Sequence, residues 1–251
     1  MLGAGSGTRL RPLTTLLPKV LCPVNGVALV DLALARAAAL TLDVAVNVRH
    51  AAGRIAEHVG DRAFVSDERP YPDELGTAGA IGALRDWVDG RALLVINGDT
   101  WTDVALEPLL DGWDGERVRV LVHDGELRPG APVVASLVPA PDASAMPAAP
   151  LGLSNGLWWP AKDAGRLESI SGRGTFVACD TPADYLAANL LASGGRSVIG
   201  EGAVVDGDVT RCVLWPGTIV GRGESLVDAI RCDGRTTVLV RGRGVPLHLS
   251  A

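Results

Sequence analysis

Short valine-rich runs alternate with alanine- and leucine-rich stretches through the first half of the chain. Strands that alternate with helices are typical of a parallel or mixed sheet covered by helices, so we predict an α/β fold. The predicted strands are 44–48, 63–66, 92–96 and 118–122, and the predicted helices are 27–42, 51–59, 77–88 and 182–193. Thr77 and Thr181 are the predicted N-caps of the last two helices, because a threonine hydroxyl accepts a hydrogen bond from the first helical turn.

Prolines crowd the segment from residue 129 to residue 150, which contains six of them. A proline has no amide N–H to donate to a sheet ladder and is poorly tolerated inside a helix. We therefore predict little regular structure in this segment, with an edge strand over 133–138 as its one candidate element.

Glycines separate short aliphatic pairs after residue 195. Ile199 and Val205 are six residues apart, as are Val213 and Ile219, which is the spacing of a hexapeptide β-helix coil. A β meander with glycine turns explains the pattern equally well, and both interpretations stay open. We predict two domains, 1–195 and 196–251. Because two coils are too few for an independent solenoid, the tail would pack against the main domain or a second subunit.

Charge and cysteine content limit the classes of function. Asp and Glu number 29 and Lys and Arg number 23, so the net charge of −6 argues against a general binder of nucleic acids or anionic membranes. The four cysteines form no C-x-x-C pair, so neither a zinc site nor a disulfide framework is expected. The sequence shows no apolar run of transmembrane length and no signal-peptide core, and we expect a soluble, cytoplasmic protein.

The most informative segment is the glycine-rich stretch 2–14, which Pro18 and Lys19 follow. Consecutive small residues let backbone N–H groups approach a polyphosphate closely. The stretch lacks the Gly-Lys-Ser/Thr ending of a Walker A loop and the third glycine of a dinucleotide-binding loop. Arg9 and Lys19, one of only two lysines, are the pair of cations that phosphoryl or nucleotidyl transfer needs to neutralise developing negative charge.

With its trailing Arg-Leu-Arg-Pro-Leu-Thr, the loop resembles the signature of the sugar-1-phosphate nucleotidylyltransferases. Further family-like stretches follow in the expected order at 23–24, 75–79, 97–99 and 181–185. The resemblance implies a Rossmann-like, GT-A-like nucleotidyltransferase fold, a mixed sheet flanked by helices, with a short left-handed β-helix-like tail. It also implies in-line attack of a sugar 1-phosphate on the α-phosphate of an NTP, with Mg²⁺ bridging the phosphates, to give an NDP-sugar and pyrophosphate.

The same resemblance implies roles for individual residues. Arg9 would clamp the triphosphate and stabilise the leaving pyrophosphate, while Lys19 would bridge the reacting phosphates. The residues implied to line the nucleotide, its base or the sugar are Ala4, Gly5, Gly7, Thr8, Leu75, Gly76 and Thr77. Asp99 would hold the metal ion.

The residues themselves support two of these roles. Asp99 follows the predicted strand 92–96, and open α/β sheets bind ligands at the carboxyl ends of their strands. The positive end of the predicted helix that starts at Thr77 would suit an anion. Gly79 and Gly82 in that helix are equally compatible with a closely packed helix.

Two departures from the family pattern put the chemistry in question. Only Met1 and Leu2 precede the glycine loop, so the first strand is cut short, and either the start of the chain is misassigned or the loop is poorly anchored. Ala178 stands where the family has its second metal-binding aspartate, so Asp180 could be the second ligand only after a backbone shift. Weaker Mg²⁺ binding and slower chemistry are the expected results.

Two hypotheses for the function follow. The first is an enzyme that makes an activated sugar, with GTP and mannose 1-phosphate as the first choice and UTP or dTTP with another sugar next. The second is a non-catalytic regulatory or sugar-nucleotide-binding protein, in which the eroded metal site leaves binding without turnover. Under both hypotheses the protein binds an NTP, a sugar 1-phosphate or a similar small molecule, and neither a nucleic acid nor a membrane. The C-terminal tail is a candidate surface for a homo-oligomer.

Overall fold

The computed structural model describes residues 1–41, 43–234 and 236–240. The chain forms two compact units, of which the first comprises residues 1–6 and 30–176 and the second comprises residues 7–29 and the chain from Val177 onward. This division differs from the predicted boundary after residue 195, because helix Pro182–Ala192 packs within the second unit against Pro23–Val24 and Ala229–Arg231. Residues 241–251 of the predicted tail domain lie outside the described residues.

The secondary structure follows the predicted alternation in the first half of the chain. In chain order, the strands are β1 (Pro23–Val24), β2 (Val27–Ala28), β3 (Ala45–Val48), β4 (Phe64–Asp67), β5 (Leu93–Ile96), β6 (Thr100–Thr102), β7 (Val118–His123), β8 (Val133–Val138), β9 (Leu167–Gly172), β10 (Phe176–Ala178), β11 (Val198–Ile199), β12 (Val204–Val205), β13 (Asp208–Thr210), β14 (Val213–Leu214), β15 (Ile219–Val220), β16 (Ser225–Val227), β17 (Ala229–Arg231) and β18 (Thr237–Leu239). All four predicted strands are present, with ends shifted by at most one residue.

Helices account for most of the remaining elements. The α-helices are α1 (Leu13–Leu16), α2 (Leu29–Ala38), α3 (Ala52–Val59), α4 (Gly76–Ala83), α5 (Arg85–Val88), α6 (Glu107–Leu110), α7 (Ala140–Ala145), α8 (Trp159–Asp163) and α9 (Pro182–Ala192), with short 3₁₀ segments at Thr8–Leu10, Lys19–Leu21 and Gly60–Arg62 and a π-helical turn at Ser154–Trp158. The predicted helix 27–42 is shorter in the structure, and its residue 42 lies outside the described residues. The predicted helix 77–88 is divided at Leu84 into α4 and α5. Within the described ranges, no helix combines the length and the apolarity that crossing a membrane requires.

A mixed sheet forms the centre of the first unit. Strands β5, β8, β7 and β9 lie side by side in that order, with β7 and β9 parallel and the other neighbours antiparallel. Strands β3 and β4 form a separate parallel pair. Leu2 joins the two groups, because it pairs in parallel with Asn47 of β3 and with Asn97, the residue that follows β5.

The strand over 133–138 is an internal strand, and its predicted place at an edge is wrong. β8 pairs with β5 on one side and with β7 on the other. Pro132 and Pro139 lie just outside the two ends of the strand, so its interior has no missing amide donor. Helix α7 also forms in this proline-rich segment, since Pro141 lies in its first turn, where a proline is tolerated.

Helices cover both faces of the sheet. Val120 and Leu121 of β7 are adjacent, fully buried and oriented toward opposite faces, as the two-residue period of a strand requires. Val120 belongs to a hydrophobic cluster with Ile81 of α4, whereas Leu121 belongs to a cluster with Ala37 of α2 and Leu109 of α6. The α/β architecture predicted from the alternation is therefore present in this unit.

The strand ahead of the glycine loop is short, as the sequence predicts. Even so, the Leu2 N–H donates to the carbonyl of Ile96 (2.9 Å), and the Gly98 N–H donates to the carbonyl of Leu2 (2.9 Å). These bonds fix the start of the loop in the sheet, so the prediction of a poorly anchored loop is wrong. A cavity of about 340 Å³ lies beside the short strand and is lined in part by Val44 and Leu93.

Helix α9 organises the second unit. Thr181 caps it as predicted, because its hydroxyl accepts a hydrogen bond from the Asp184 N–H (3.2 Å) while the Asp184 carboxylate accepts one from the Thr181 N–H (3.0 Å). The fully buried Tyr185 donates its phenolic proton to the carbonyl of Pro23 and accepts a hydrogen bond from the indole of Trp215 (2.9 Å). Through this one side chain the helix contacts both segment 7–29 and the tail.

Parallel strands stack on one another in the tail. β11 pairs with β14, β14 with β17, β12 with β15, and β13 with β16, all in parallel, while β18 adds to β17 in the antiparallel sense. Val204 lies opposite Ile219, which is 15 residues further along the chain, so successive coils lie in register. A meander pairs consecutive strands antiparallel, so that interpretation is wrong for β11–β17. The left-handed winding stays a prediction.

Candidate nucleotide site

The glycine-rich segment starts inside the sheet of the first unit and then reaches the surface. Gly3 is buried, Ala4 is half-buried and Gly5 is exposed. The Gly3 N–H donates to the side-chain oxygen of Asn47 on β3 (2.8 Å). A Cβ atom on Gly5 would meet nothing within 4 Å, so the main chain of this part of the loop is accessible to a ligand.

The second unit continues the segment with a tight turn at Gly7. The φ angle of Gly7 is 63°, and a Cβ atom there would lie 2.9 Å from Cγ2 of Thr14 and 3.1 Å from Cβ of Lys19. The Thr14 hydroxyl closes the turn by donating to the Gly7 carbonyl (2.8 Å). Both the backbone conformation and the lack of space therefore favour glycine here. The turn leaves Thr8 and Arg9 exposed.

Two cations converge on one carboxylate in the second unit. The Lys19 side chain is only 7% exposed, and its Nζ lies 2.6 Å from Oδ1 of Asp180. The Arg9 side chain is 72% exposed, and its Nη2 lies 3.1 Å from Oδ2 of the same residue. A buried ammonium group needs such an anionic partner, and here two cations lie next to one carboxylate. This charge pattern is suited to a phosphate.

Asp99 and Asp180, the two predicted Mg²⁺ ligands, belong to different units. Each carboxylate oxygen of Asp180 forms an ion pair with one cation, Oδ1 with Lys19 and Oδ2 with Arg9. Across the part of the chain that the structure describes, no group of three or more His, Cys, Asp or Glu side chains is placed to hold a metal ion. The metal-binding roles of Asp99 and Asp180 stay predictions.

Asp99 lies just beyond the carboxyl end of β5 in the first unit, where the sequence places it. The preceding Gly98 packs tightly against the start of the glycine loop, because a Cβ atom there would lie 2.8 Å from the carbonyl oxygen of Leu2. The half-buried Asp99 therefore follows a bend that is fixed to the start of the loop. This is the edge of an open sheet at which ligands bind.

Helix α4 begins one residue earlier than predicted. Its N-cap is Leu75, whereas Thr77 lies inside the first turn and uses its hydroxyl to accept the Leu153 N–H (2.7 Å). The amides of the next two residues, Ala78 and Gly79, both donate to the carbonyl of Leu151. An anion at this helix end would therefore have to use the amides of Gly76 and Thr77, and the predicted anion site stays a prediction.

Close packing explains the glycines of α4. A Cβ atom at Gly79 or Gly82 would collide with the main chain at Ala149 or Pro147, as the packing interpretation requires. Leu75, predicted to face the base or sugar, is 1% exposed, so only its main chain could reach a ligand. Gly76, by contrast, is exposed.

Two buried polar residues beneath the loop were not predicted from the sequence. Nδ2 of Asn47 donates to Oε1 of Glu68 (2.7 Å), and the two residues are 4% and 2% exposed. Burial raises the pKa of Glu68, although the hydrogen bond from Asn47 acts in the opposite direction. The available signal was Asn47 itself, since a polar residue within the buried strand Ala-Val-Asn-Val needs a hydrogen-bonding partner.

Comparison with known proteins gives matches to about half of the chain. Residues 1–122 match the family model described as nucleotidyl transferase. N-acetylmuramate alpha-1-phosphate uridylyltransferase of Caulobacter vibrioides is 35% identical over 132 residues, which cover 48% of this chain and 54% of that protein. Mannose-1-phosphate guanylyltransferase of Mycobacterium tuberculosis is 31% identical over 139 residues, which cover 51% of this chain and 38% of that protein. The matches thus span about half or less of these relatives.

Solved structures extend the likeness to most of the chain. A structure described as mannose-1-phosphate geranyltransferase from Thermus thermophilus aligns with a TM-score of 0.71 and covers 95% of this chain and 93% of its own. The sequence identity in that alignment is 18%. At this level the match shows a shared fold, and it says nothing about the ligand.

Proposed function

We infer the function from one premise: residues 1–122 belong to the nucleotidyl transferase family, which supports the resemblance to the sugar-1-phosphate nucleotidylyltransferases. We propose that the protein transfers a nucleotidyl group from an NTP to a sugar 1-phosphate and releases pyrophosphate. The observation that carries this proposal is the convergence of the buried Lys19 and the exposed Arg9 on Asp180.

In the proposed reaction an oxygen of the sugar phosphate forms a bond to the α-phosphorus, while the bond from that phosphorus to the bridging oxygen of pyrophosphate breaks. Lys19 is buried and fixed by its ion pair, so it would hold the reacting phosphates in one position. Arg9 is largely exposed and can exchange Asp180 for the leaving pyrophosphate. Both cations would stabilise charge that develops as the pyrophosphate departs.

Magnesium is part of the proposal as an ion that arrives with the triphosphate. Mg²⁺ in nucleotide sites is commonly held by one or two carboxylates together with substrate phosphates, and Asp99 is the proposed protein ligand. The ion would supply additional neutralisation of the phosphate charge. Asp180 in its observed position is a counter-ion for Lys19 and Arg9.

The proposed substrates are an NTP and a sugar 1-phosphate, and two such substrate pairs are the first to test. The curated relatives are named for a uridylyl transfer to N-acetylmuramate 1-phosphate and a guanylyl transfer to mannose 1-phosphate. GTP with mannose 1-phosphate remains our first choice, and UTP with an amino-sugar phosphate is the second. Since such reactions use cytosolic nucleotides, we propose a cytoplasmic location.

The tail is proposed to have a left-handed β-helix form and to mediate self-association. Val204 and Ile219 lie side by side on β12 and β15 and are 46% and 55% exposed, which is unusual for adjacent aliphatic side chains. A second copy of the chain would cover them. Sedimentation of the unaltered protein and of the Ile219→Asp variant tests this. We expect the unaltered protein to be a dimer and the variant to be a monomer. A monomeric unaltered protein would contradict the proposal.

The activity is tested by pyrophosphate release from a panel of NTPs and sugar 1-phosphates in the presence of Mg²⁺. We expect release only when both substrates are present. Absence of release with every pair would favour the non-catalytic alternative. The double variant Ala178→Asp/Asp180→Gly then separates the two, since turnover that appears only in the repaired chain would establish that the unaltered site had lost catalysis.

A further inference from the structure

A chain of three hydrogen bonds runs from β4 to the glycine loop within the first unit. The N–H of Glu68 donates to the carbonyl of Val48 (2.8 Å), which fixes the main chain of Glu68 beside β3. Oε1 of Glu68 accepts from Nδ2 of Asn47 (2.7 Å), and Oδ1 of Asn47 accepts from the N–H of Gly3 (2.8 Å). All three linked residues, Gly3, Asn47 and Glu68, are buried.

The carboxylate determines which way the Asn47 amide faces. An amide side chain has a donor end and an acceptor end, whereas an ionised carboxylate only accepts. If the Asn47 amide turned by half a rotation, its NH₂ would meet the N–H of Gly3 and its oxygen would meet the Glu68 carboxylate. Both contacts would be repulsive, so Glu68 permits one orientation of Asn47 alone.

Glu68 is itself fixed from a second side. Nη1 of Arg49 donates to the main-chain carbonyls of Glu68 (2.7 Å) and Tyr71 (3.0 Å). The main chain that carries this carboxylate is therefore held in place by hydrogen bonds, and a buried carboxylate is costly to keep unless geometry requires it.

We propose that Glu68 is a positioning residue for the nucleotide-binding loop, acting through Asn47 on the main-chain amide of Gly3. Gly3 is the last buried residue before Ala4 and Gly5 carry the chain to the surface, so the orientation of its peptide sets the direction in which the loop leaves the sheet. Small displacements of groups that bind a substrate are costly. The ligand in this proposal is a nucleoside triphosphate, and to that extent it rests on the proposed function.

The test uses three single variants and one double variant. Glu68→Leu removes the acceptor, Glu68→Gln keeps an acceptor oxygen, and Asn47→Asp places two carboxylates in contact. In Asn47→Asp/Glu68→Gln the hydrogen bond is reversed, because the introduced glutamine can donate to the introduced aspartate, which still accepts from the N–H of Gly3. Glu57→Leu, at an exposed glutamate of α3, is the matched control.

We expect Glu68→Leu and Asn47→Asp to raise the KM for the NTP about tenfold, the effect of one lost buried hydrogen bond, with kcat changed less than about twofold. Glu68→Gln and the double variant should keep the KM within about threefold of that of the unaltered chain. A purely structural role would lower the fraction of folded enzyme, and hence kcat, at constant KM. That result, or failure of the double variant to restore the KM, would overturn the proposal.

Hydrogen exchange at the Gly3 amide separates this proposal from the proposed function. Even if no NTP is turned over, Gly3 should exchange about tenfold or more faster in Glu68→Leu than in the unaltered chain, with Glu57→Leu unchanged. Unchanged protection of Gly3 in both Glu68→Leu and Asn47→Asp would overturn the positioning role whatever the activity.

Discussion

The two halves of the glycine-rich segment are held in place by different forces. In the first unit, buried hydrogen bonds that link Gly3, Asn47 and Glu68 hold the start of residues 3–6 in place. In the second unit, Arg9 in the turn after Gly7 and Lys19 further along the chain are held by ion pairs with Asp180. Buried hydrogen bonds fix shape, whereas a partly exposed ion pair can exchange its partner for a phosphate.

This difference indicates a division of labour within one continuous segment. We expect changes in the hydrogen-bonded half to alter how well the nucleotide binds, because that half contacts substrate and transition state alike. We expect changes in the charged half to alter both the binding of the triphosphate, which is already anionic, and the rate of transfer, because further charge develops on the leaving pyrophosphate during the reaction.

The largest effect is expected from the buried cation. Lys19→Ala should lower kcat/KM about 100- to 1000-fold, since it removes a fixed charge from the proposed transition state. Steady-state pyrophosphate release measures this. The matched control is Lys162→Ala, which changes the other lysine, an exposed one that lies over the ring of Trp159. Similar activity in the two variants would contradict the proposed role of Lys19 in the transfer reaction.

A smaller and opposite effect is expected from the counter-ion. Asp180→Asn should lower the KM for the NTP about three- to tenfold, because Lys19 and Arg9 lose the anion that competes with phosphate. The Mg²⁺ concentration for half-maximal rate should stay the same. A marked increase in the Mg²⁺ requirement would instead identify Asp180 as a metal ligand.

The helix cap beside Asp180 should affect stability. Thr181→Ala removes the acceptor for the Asp184 N–H and should lower the free energy of unfolding by about 1 kcal/mol. Urea unfolding monitored by circular dichroism gives the value. Since the cap lies outside the hydrogen-bonded half of the loop, the hydrogen-exchange rate of Gly3 should not change, and a faster rate would show that the two halves are coupled.

The smallest expected effect is a pH dependence of folding stability that arises from Glu68 in the hydrogen-bonded half. Burial raises the pKa of Glu68 above its ordinary value of 4.5, so the folded chain retains a proton that the unfolded chain has lost. Folding stability should therefore fall as the pH rises from about 4.5 through the raised pKa. Glu68→Gln does not titrate and should lack this slope in urea unfolding at several pH values. Parallel profiles for the two proteins would contradict the assignment.

Local patterns predicted most of the fold of the first unit. The alternation of valine-rich and alanine-rich runs placed the strands and helices, because periodicity depends on neighbouring residues. The internal position of β8 could not be predicted, since pairing with β5 and β7 is a long-range property. The capping of α4 was missed for the same reason, because it depends on hydrogen bonds of Leu151 with the helix amides and of Leu153 with Thr77.

The site shows the same limit. Motif spacing identified Gly7, Arg9 and Lys19. In the structure Lys19 packs against the turn at Gly7, and both Lys19 and Arg9 form ion pairs with Asp180. Asp180, which pairs with Lys19, lies 161 residues further along the chain. The sequence predicted Asp180 as a metal ligand and not as a partner of Lys19, because pairing over this distance is a long-range property. Glu68 could not be predicted from the sequence, because its role depends on the pairing of β3 with β4.

The most direct test of the account is a calorimetric titration of a nucleoside triphosphate with Mg²⁺ into the unaltered chain, Lys19→Ala and Lys162→Ala. We predict saturable binding to the unaltered chain and to Lys162→Ala, and binding at least about tenfold weaker to Lys19→Ala. No binding to the unaltered chain, or equal binding to both lysine variants, would contradict the claim that this glycine-rich segment and its buried lysine bind a triphosphate.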